Sequence, residues 1–423
     1  MKSQSSRFSI GLSIYRIILS FILLKNAIFY FPMAEPLFGA NAIVPYNIYK
    51  NLMNLYNLDF MIYPFEIPFA SHFLLLLIII FSSLFLLGVG GRVSGLILYF
   101  LVFTLNQRNN FLLDGSDNVI AVTLTFLLLS DCLSHFTYNY REKKKNKFQN
   151  KFLQSLWVSL NSFAIAGLLI QISFVYFFTA LHKLQGSMWL NGTAVYYTMR
   201  VVDFKATSWN IFLTENHYFV VLSTYFTVFW ELSFPFLVWF RKTKFFILSF
   251  GVLLHIGIFI FMRIDNFSWI MIGSYFFFIE NSEYKSILKH FKSKKLIIFY
   301  DNYCPNCIRF KSIINRFDFF NNLQTIKVRA IEKSENQIYF SLNSQESLEK
   351  MASYDIQKNK YYYGFNSIYN IVKYVPSLYI FFPIMYILKL THLGAYLYRE
   401  LAIRRKIIPI VCNDNCDLIN NKN

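Results

Sequence analysis

Charge is what this sequence has least of. Only 15% of its 423 residues are Asp, Glu, Lys or Arg, while hydrophobic residues make up 55%. A soluble domain carries roughly 25% charged residues, so the composition argues against two or three soluble domains and for apolar spans of about twenty residues. Cysteine is also sparse. The five cysteines include one C-x-x-C pair, Cys304 and Cys307, and a second pair, Cys412 and Cys416, which excludes a secreted disulfide framework. A cleavable signal peptide is not expected: the first apolar run starts near Phe8, contains Arg16 and Lys25, and lacks a small-residue cleavage site. Acidic residues are outnumbered, 23 against 41 Lys and Arg, for a net charge of +18. The positive residues sit in short loops between apolar runs. They therefore imply membrane topology and anionic lipid heads as a partner, and not nucleic acid.

Eight apolar spans are expected: Phe8–Phe31, Phe73–Gly88, Val93–Leu105, Asn118–Leu133, Leu156–Leu181, Tyr218–Phe240, Phe245–Met262 and Trp269–Ile279. The third and eighth are short for a crossing. Gly88-Val89-Gly90-Gly91-Arg92 reads as a tight turn, and Pro32–Ser71 as a large loop packed on the bundle. Three basic clusters orient the chain: Arg141 to Lys151, Arg241-Lys242-Thr243-Lys244, and Lys285 to Lys295. With eight spans and an inward N-terminus, all three fall on the cytoplasmic side. The expected localisation is a multi-pass protein of the cell membrane with a cytosolic C-terminal domain.

The character changes near Glu280. A basic linker, 281–295, leads to a third segment, 296–423, which opens with the apolar strand Leu296–Tyr300. The pair Cys304-Pro305-Asn306-Cys307 follows, then a helical stretch, Ile308 to Phe317, and a second strand, Thr325–Ile331. Strand, C-x-x-C, helix, strand is the opening of a thioredoxin-like unit. The fold class expected is thus an α-helical polytopic membrane bundle, 1–280, followed by an α/β thioredoxin-like domain. The apolar stretch Ile368–Leu393 is interrupted by Pro376 and Pro383, which favours buried or membrane-surface helices over a ninth span.

The dithiol carries the most specific chemistry. A thiolate must form before a disulfide can be attacked. At a helix start, Cys304 meets unpaired N–H groups and the positive end of the helix dipole. Pro305 suits a first helical position, where its missing N–H costs nothing. Lys294, Lys295, Arg309 and Lys311 add positive potential, and Cys307, one turn on, is placed to resolve a mixed disulfide. Asp301 is the candidate to take the proton from Cys307. Two alternatives stay open: an inert pair, and a zinc site in which Cys412 and Cys416 join Cys304 and Cys307.

The segment Tyr300-Asp301-Asn302-Tyr303-Cys304-Pro305-Asn306-Cys307 resembles the DCC-type thiol-disulfide oxidoreductases, whose signature is Asp-Gly-x-Cys-x-x-Cys after a strand. Tyr363-Gly364-Phe365 and the basic, tyrosine-containing Tyr398 to Arg405 fit the same family. Asn302 occupies the glycine position, and Asn tolerates a left-handed backbone. The resemblance implies a thioredoxin-like fold and protein-disulfide reductase activity.

In the apolar half, ionisable residues inside a span are functional candidates by default. Lys183 closes an apolar run ahead of Trp189, Gly192 and Tyr196, placed either as a base or as a lysine snorkelling to the outer headgroups. Glu231 and His255 lie within spans six and seven, and are expected to pair or to hold a cofactor. Arg16 and Lys25 read as structural or lipid-facing anchors. The run Tyr176–Tyr197, with Leu112 to Asn118 and with His255 ahead of Phe267 to Ile272, resembles the HTTM domain shared with vitamin K-dependent gamma-carboxylases. In that family a lysine in this motif is the base that initiates oxygenation of a reduced quinone, and Lys183 matches it. Asp117 and Asn118 stand where the family's second catalytic histidine is expected.

The leading expectation is a membrane-anchored thiol-disulfide oxidoreductase acting on a disulfide-containing protein or small molecule, with a bundle open to a quinone or lipid-like ligand. The alternatives are a carboxylase-like or quinone-oxygenating enzyme centred on Lys183, and a non-enzymatic membrane maturation or export factor for a secreted peptide.

Overall fold

The computed structural model describes residues 7–138, 151–292, 295–328 and 342–403, less positions 63, 64, 66, 68 and 343. The chain divides into two compact units, 1–284 and 285–423.

The first unit is entirely helical among the described residues. Its helices are α1 (Ser9–Tyr30), α2 (Ala34–Phe38), α3 (Tyr46–Leu55), α4 (Ala70–Leu87), α5 (Gly91–Arg108), α6 (Gly115–Leu129) and α7 (Lys151–Lys183). They continue as α8 (Ser187–Leu190), α9 (Ala194–Arg200), α10 (Trp209–Glu215), α11 (His217–Leu237), α12 (Arg241–Met262) and α13 (Asp265–Tyr275). Five helices among the described residues are long and apolar enough to cross a membrane, those starting at Ser9, Ala70, Lys151, His217 and Arg241. The other three expected spans are helices too, but α5, as long as α4, is less apolar, while α6 has 15 residues and α13 only 11.

Local chemistry accounts for the breaks between these helices. The α4–α5 turn needs left-handed backbone, and Gly88 and Gly90 supply it at φ 73° and 71°. There a β-carbon would strain the chain. Helix α6 starts on a capping box, in which the Asp114 carboxylate accepts from Ser116 N–H and Asp117 returns to Asp114 N–H. Asp117 therefore has a structural task at the position compared above with a catalytic histidine.

Leu12, Tyr15, Leu75, Leu168, Phe234 and Ile270 meet in one continuous apolar core. The segment between α1 and α4 joins that core through Phe38, Tyr49, Met53 and Phe65. Arg108, which the sequence did not single out, holds this segment down. It is fully buried, donates to the carbonyls of Val44 and Gly39, and lies against the Tyr49 and Phe65 rings. Arg16 faces the interior and not lipid. Its guanidinium is fully buried and donates to the carbonyls of Phe85 (2.7 Å) and Phe136 (2.8 Å). A buried charge persists where carbonyl dipoles replace lost water. Lys25 donates to Asp265 and Asn266 across to α13. Lys244, from the second basic cluster, is buried and paired with Glu283 at 3.0 Å.

Helix α14 (Asn281–Lys292) leads into the second unit. That unit runs β1 (Leu296–Tyr300), α15 (Pro305–Phe317), β2 (Leu323–Lys327), α16 (Ser344–Glu349), β3 (Ala352–Asp355), β4 (Lys360–Tyr363), α17 (Phe365–Tyr374), α18 (Phe382–Leu390) and α19 (Leu393–Ile403). The four strands order as β2-β1-β3-β4, with β1 parallel to β2 and antiparallel to β3, and β3 antiparallel to β4. Strand β1 is buried along its whole length, as expected for a continuous apolar run in a central strand. Strand β2 begins two residues earlier than Thr325, because its parallel register pairs Leu296 with Leu323. Residues 329–331 of the expected strand lie outside the described residues.

Candidate functional site

The dithiol sits where β1 meets α15. Tyr300 ends the strand, and Asp301, buried, starts the turn. Asp301 Oδ1 accepts from Tyr303 N–H at 3.0 Å and its carbonyl accepts from Cys304 N–H at 3.4 Å. That side-chain turn closes without left-handed backbone. Asn302 is not among the positive-φ residues, so the conformational licence expected of it is not needed. Its Oδ1 is buried and unpartnered among the described residues.

Cys304 takes extended backbone angles, φ −89° and ψ 111°, as the N-cap, and Pro305 is the first helical residue. The Cys304 carbonyl accepts from Cys307 N–H (3.0 Å) and Ile308 N–H (3.1 Å), so the first turn carries both sulfurs at the tip of the helix. Neither cysteine is in a disulfide, and both are buried, clustered with the Tyr300 ring. Lys311 lies 4.8 Å over that ring and reaches its hydroxyl at 3.4 Å, bringing a cation to the tyrosine that packs on the pair. Such a tip offers unpaired N–H groups and dipole to a sulfur anion. The sequence had named Lys311 as a positive charge but not Tyr300 as its platform.

A second lock lies elsewhere in this unit. Gly364, at φ 59° and ψ −130°, joins β4 to α17, and its N–H donates to the Met351 carbonyl at 2.8 Å. The Tyr398 hydroxyl accepts from Met351 N–H at 2.7 Å, and a β-carbon on Gly364 would stand 3.2 Å from the Tyr398 ring. The Tyr-Gly element and the tyrosine-containing ending thus meet in space. No group of three or more metal-ligating side chains occurs among the described residues, and Cys412 and Cys416 lie outside them.

In the first unit the other candidates assemble differently from the expected pairing. Glu231 does not pair with His255. Its Oε1 accepts from Lys183 Nζ, which also lies 4.8 Å over the Trp189 ring. His255 Nε2 meets the Tyr176 hydroxyl at 2.9 Å, and that hydroxyl meets Tyr275 at 2.5 Å. The reason is reach. Lys183 closes α7 within range of Glu231 on α11, while Tyr176, two turns back, faces His255 on α12. Tyr176 and Tyr275 are participants that sequence reasoning missed, because among 29 tyrosines nothing marks a buried hydroxyl. Glu231 Oε2 and His255 Nδ1 find no hydrogen-bond partner among the described residues.

A cavity of about 110 Å³ lies away from these groups, lined by residues such as Asn26, Tyr30, Asn106, Asn109, Asp114 and Asn266. Lys183, Glu231 and His255 do not line it.

Residues 298–409 match the family described as DCC1-like thiol-disulfide oxidoreductase. The chain is also 25% identical over 208 residues to the sporulation-delaying protein SdpB of Bacillus subtilis (strain 168), a match spanning 48% of this chain and 62% of that protein. The chain therefore covers less than two thirds of that relative's length. No solved structure matches. The C-terminal part of the chain, with Cys304 and Cys307 inside the matched region, carries a DCC1-like thiol-disulfide oxidoreductase domain.

Proposed function

We propose that this protein is a membrane-anchored thiol-disulfide oxidoreductase of the protein-disulfide reductase type. The observation that carries the reading is the placement of Cys304 and Cys307 on the first turn of α15, directly after a buried strand, in a region matching the DCC1-like family. The strand order β2-β1-β3-β4, with the dithiol after β1, supports a thioredoxin-like fold.

In the proposed cycle the Cys304 thiolate attacks one sulfur of a substrate disulfide. That S–S bond breaks, a mixed disulfide forms, and the departing sulfur takes a proton. Cys307 then loses its proton and attacks the Cys304 sulfur, which releases the second substrate thiol and leaves a Cys304–Cys307 disulfide. Two electrons have passed to the substrate, and an external dithiol must return them. Asp301 is proposed as acceptor of the Cys307 proton, being buried at the same turn.

The first unit is proposed as the anchor, with eight crossings, an inward N-terminus and the dithiol on the cytosolic side. The apolar helices support embedding, and the basic loops support the orientation. Its resemblance to the HTTM domain suggests a quinone or lipid-like ligand. A second reading, a carboxylase-like enzyme centred on Lys183, is favoured by the pairing of half-buried Lys183 with buried Glu231, whose second carboxylate oxygen is unpartnered among the described residues.

The test is reduction of insulin disulfides by the purified full chain with dithiothreitol as electron source. Cys304→Ser is expected to abolish the activity, and full activity in that variant would overturn the proposal. Activity that depends on Lys183 and is indifferent to Cys304 would favour the second reading.

A further inference from the structure

Among the described residues the last two helices leave an apolar face uncovered. Helix α18 has no buried residue, although most of its positions are apolar. The exposed set Ile380, Ile384, Ile387, Leu390, Leu393 and Leu397 runs from 44% exposure at Leu397 to 78% at Ile380. Ile384 and Ile387 recur at helical spacing, so they share one side of α18. The opposite edge is the one that packs, through Phe382 against Tyr369 of α17 at 5.6 Å between ring centres. A contiguous apolar surface of this kind is a docking site or a liability.

The geometry points to a bilayer surface rich in anionic lipid as its partner, and we propose that α18 and α19 lie in the headgroup layer and seat the dithiol unit on the membrane. Charge selects this partner. Between Pro376 and Lys406 the sole acid is Glu400, against Lys389, Arg399, Arg404, Arg405 and Lys406. Basic residues flanking an apolar helical face suit lipid phosphates. Aromatic side chains stand at the rim, with Tyr386 and Tyr396 both exposed, as interfacial anchors do.

Shape argues against a crossing. The segments Pro376–Leu390 and Leu393–Glu400 bend by 98°. Helix α18, at 1.5 Å per residue, is about 14 Å long, under half of the roughly 30 Å hydrocarbon thickness. A short bent pair fits the plane of an interface. Tethering to a membrane-embedded unit keeps the face close to lipid, so weak contacts suffice. The inference rests on the proposed embedding of the first unit. It does not depend on the redox reading of Cys304.

The experiment uses the full chain with the photoreactive residue benzoylphenylalanine replacing Ile384, Ile387 or, as an exposed control on α15, Ile313. Each is reconstituted in nanodiscs of phosphatidylglycerol or of phosphatidylcholine alone. Co-purification with the disc reports embedding of the first unit, separately from docking. On illumination, lipid adducts are expected at 384 and 387, near the glycerol end of the acyl chain, and not at 313. Arg399→Glu combined with Arg405→Glu is expected to lower the yield in phosphatidylglycerol by about fivefold or more, since each basic charge near an anionic surface contributes about that factor. Adducts to a second copy or to the chain's own residues, adducts spread to the acyl methyl end, or yields no higher than at 313 would each overturn the proposal.

Discussion

Substituting Lys183 by Met separates a structural ion pair from a dispensable lysine. Glu231 is buried, its side chain 7% exposed, while the Lys183 side chain is 23% exposed. Removing the lysine leaves a carboxylate with no route to water, and breaking a buried pair costs about 3–5 kcal/mol. The partial exposure of Lys183 tempers this to about 2–4 kcal/mol. Glu231→Gln should be milder, about 1 kcal/mol, because a lysine near a helix end can swing its amine toward the headgroups. The double variant should recover much of the loss, giving a coupling of about 2 kcal/mol. Equilibrium unfolding of the solubilised chain in mixed micelles measures all four corners of this cycle. Additive single effects, or a glutamate substitution costlier than the lysine one, would refute the pairing and with it the argument from unequal burial.

Three further outcomes follow from the geometry. Cys307→Ser should accumulate a mixed disulfide with substrate, seen as a mass increase reversed by dithiothreitol, and Cys304→Ser should accumulate none. Gly364→Ala should destabilise the second unit by about 1–3 kcal/mol, because φ 59° with ψ −130° is a glycine region and the new methyl meets the Tyr398 ring; chemical denaturation followed by tyrosine fluorescence reads this. The Arg7 guanidinium, hydrogen-bonded to Glu280 at 2.5 Å, holds that carboxyl below the usual glutamate range. A depressed acid contributes stability above its unfolded pKa and loses it as pH falls through the folded one. The acid-unfolding midpoint should therefore rise slightly in Glu280→Gln, and a midpoint that falls would contradict the ion pair.

Much of the second unit's site was legible as text. A C-x-x-C after an apolar strand and before an amphipathic helix is local information, since turn, cap and helix start lie within one short segment. The residues around it were less legible. Tyr300 as a platform for Lys311, and Tyr398 closing over Gly364, depend on side chains that meet only after strands pair and helices pack. In the helical unit the apolar runs placed helices but not their faces. Apolar residues surround most of these helices, so nothing in the pattern marks Tyr176 or Tyr275 as inward.

The sequence by itself determined that long apolar helices precede a small α/β unit, and that two cysteines open one helix. Those properties follow from hydropathy and chain-local sterics, which need no partner. Only the tertiary structure decided that Lys183 takes Glu231 and leaves His255 to Tyr176, that Arg16 faces carbonyls and not lipid, and that α18 keeps its apolar face uncovered. A buried charge is attracted to whichever opposite charge or dipole packing brings within a few ångströms, and that distance is a property of the assembled helices.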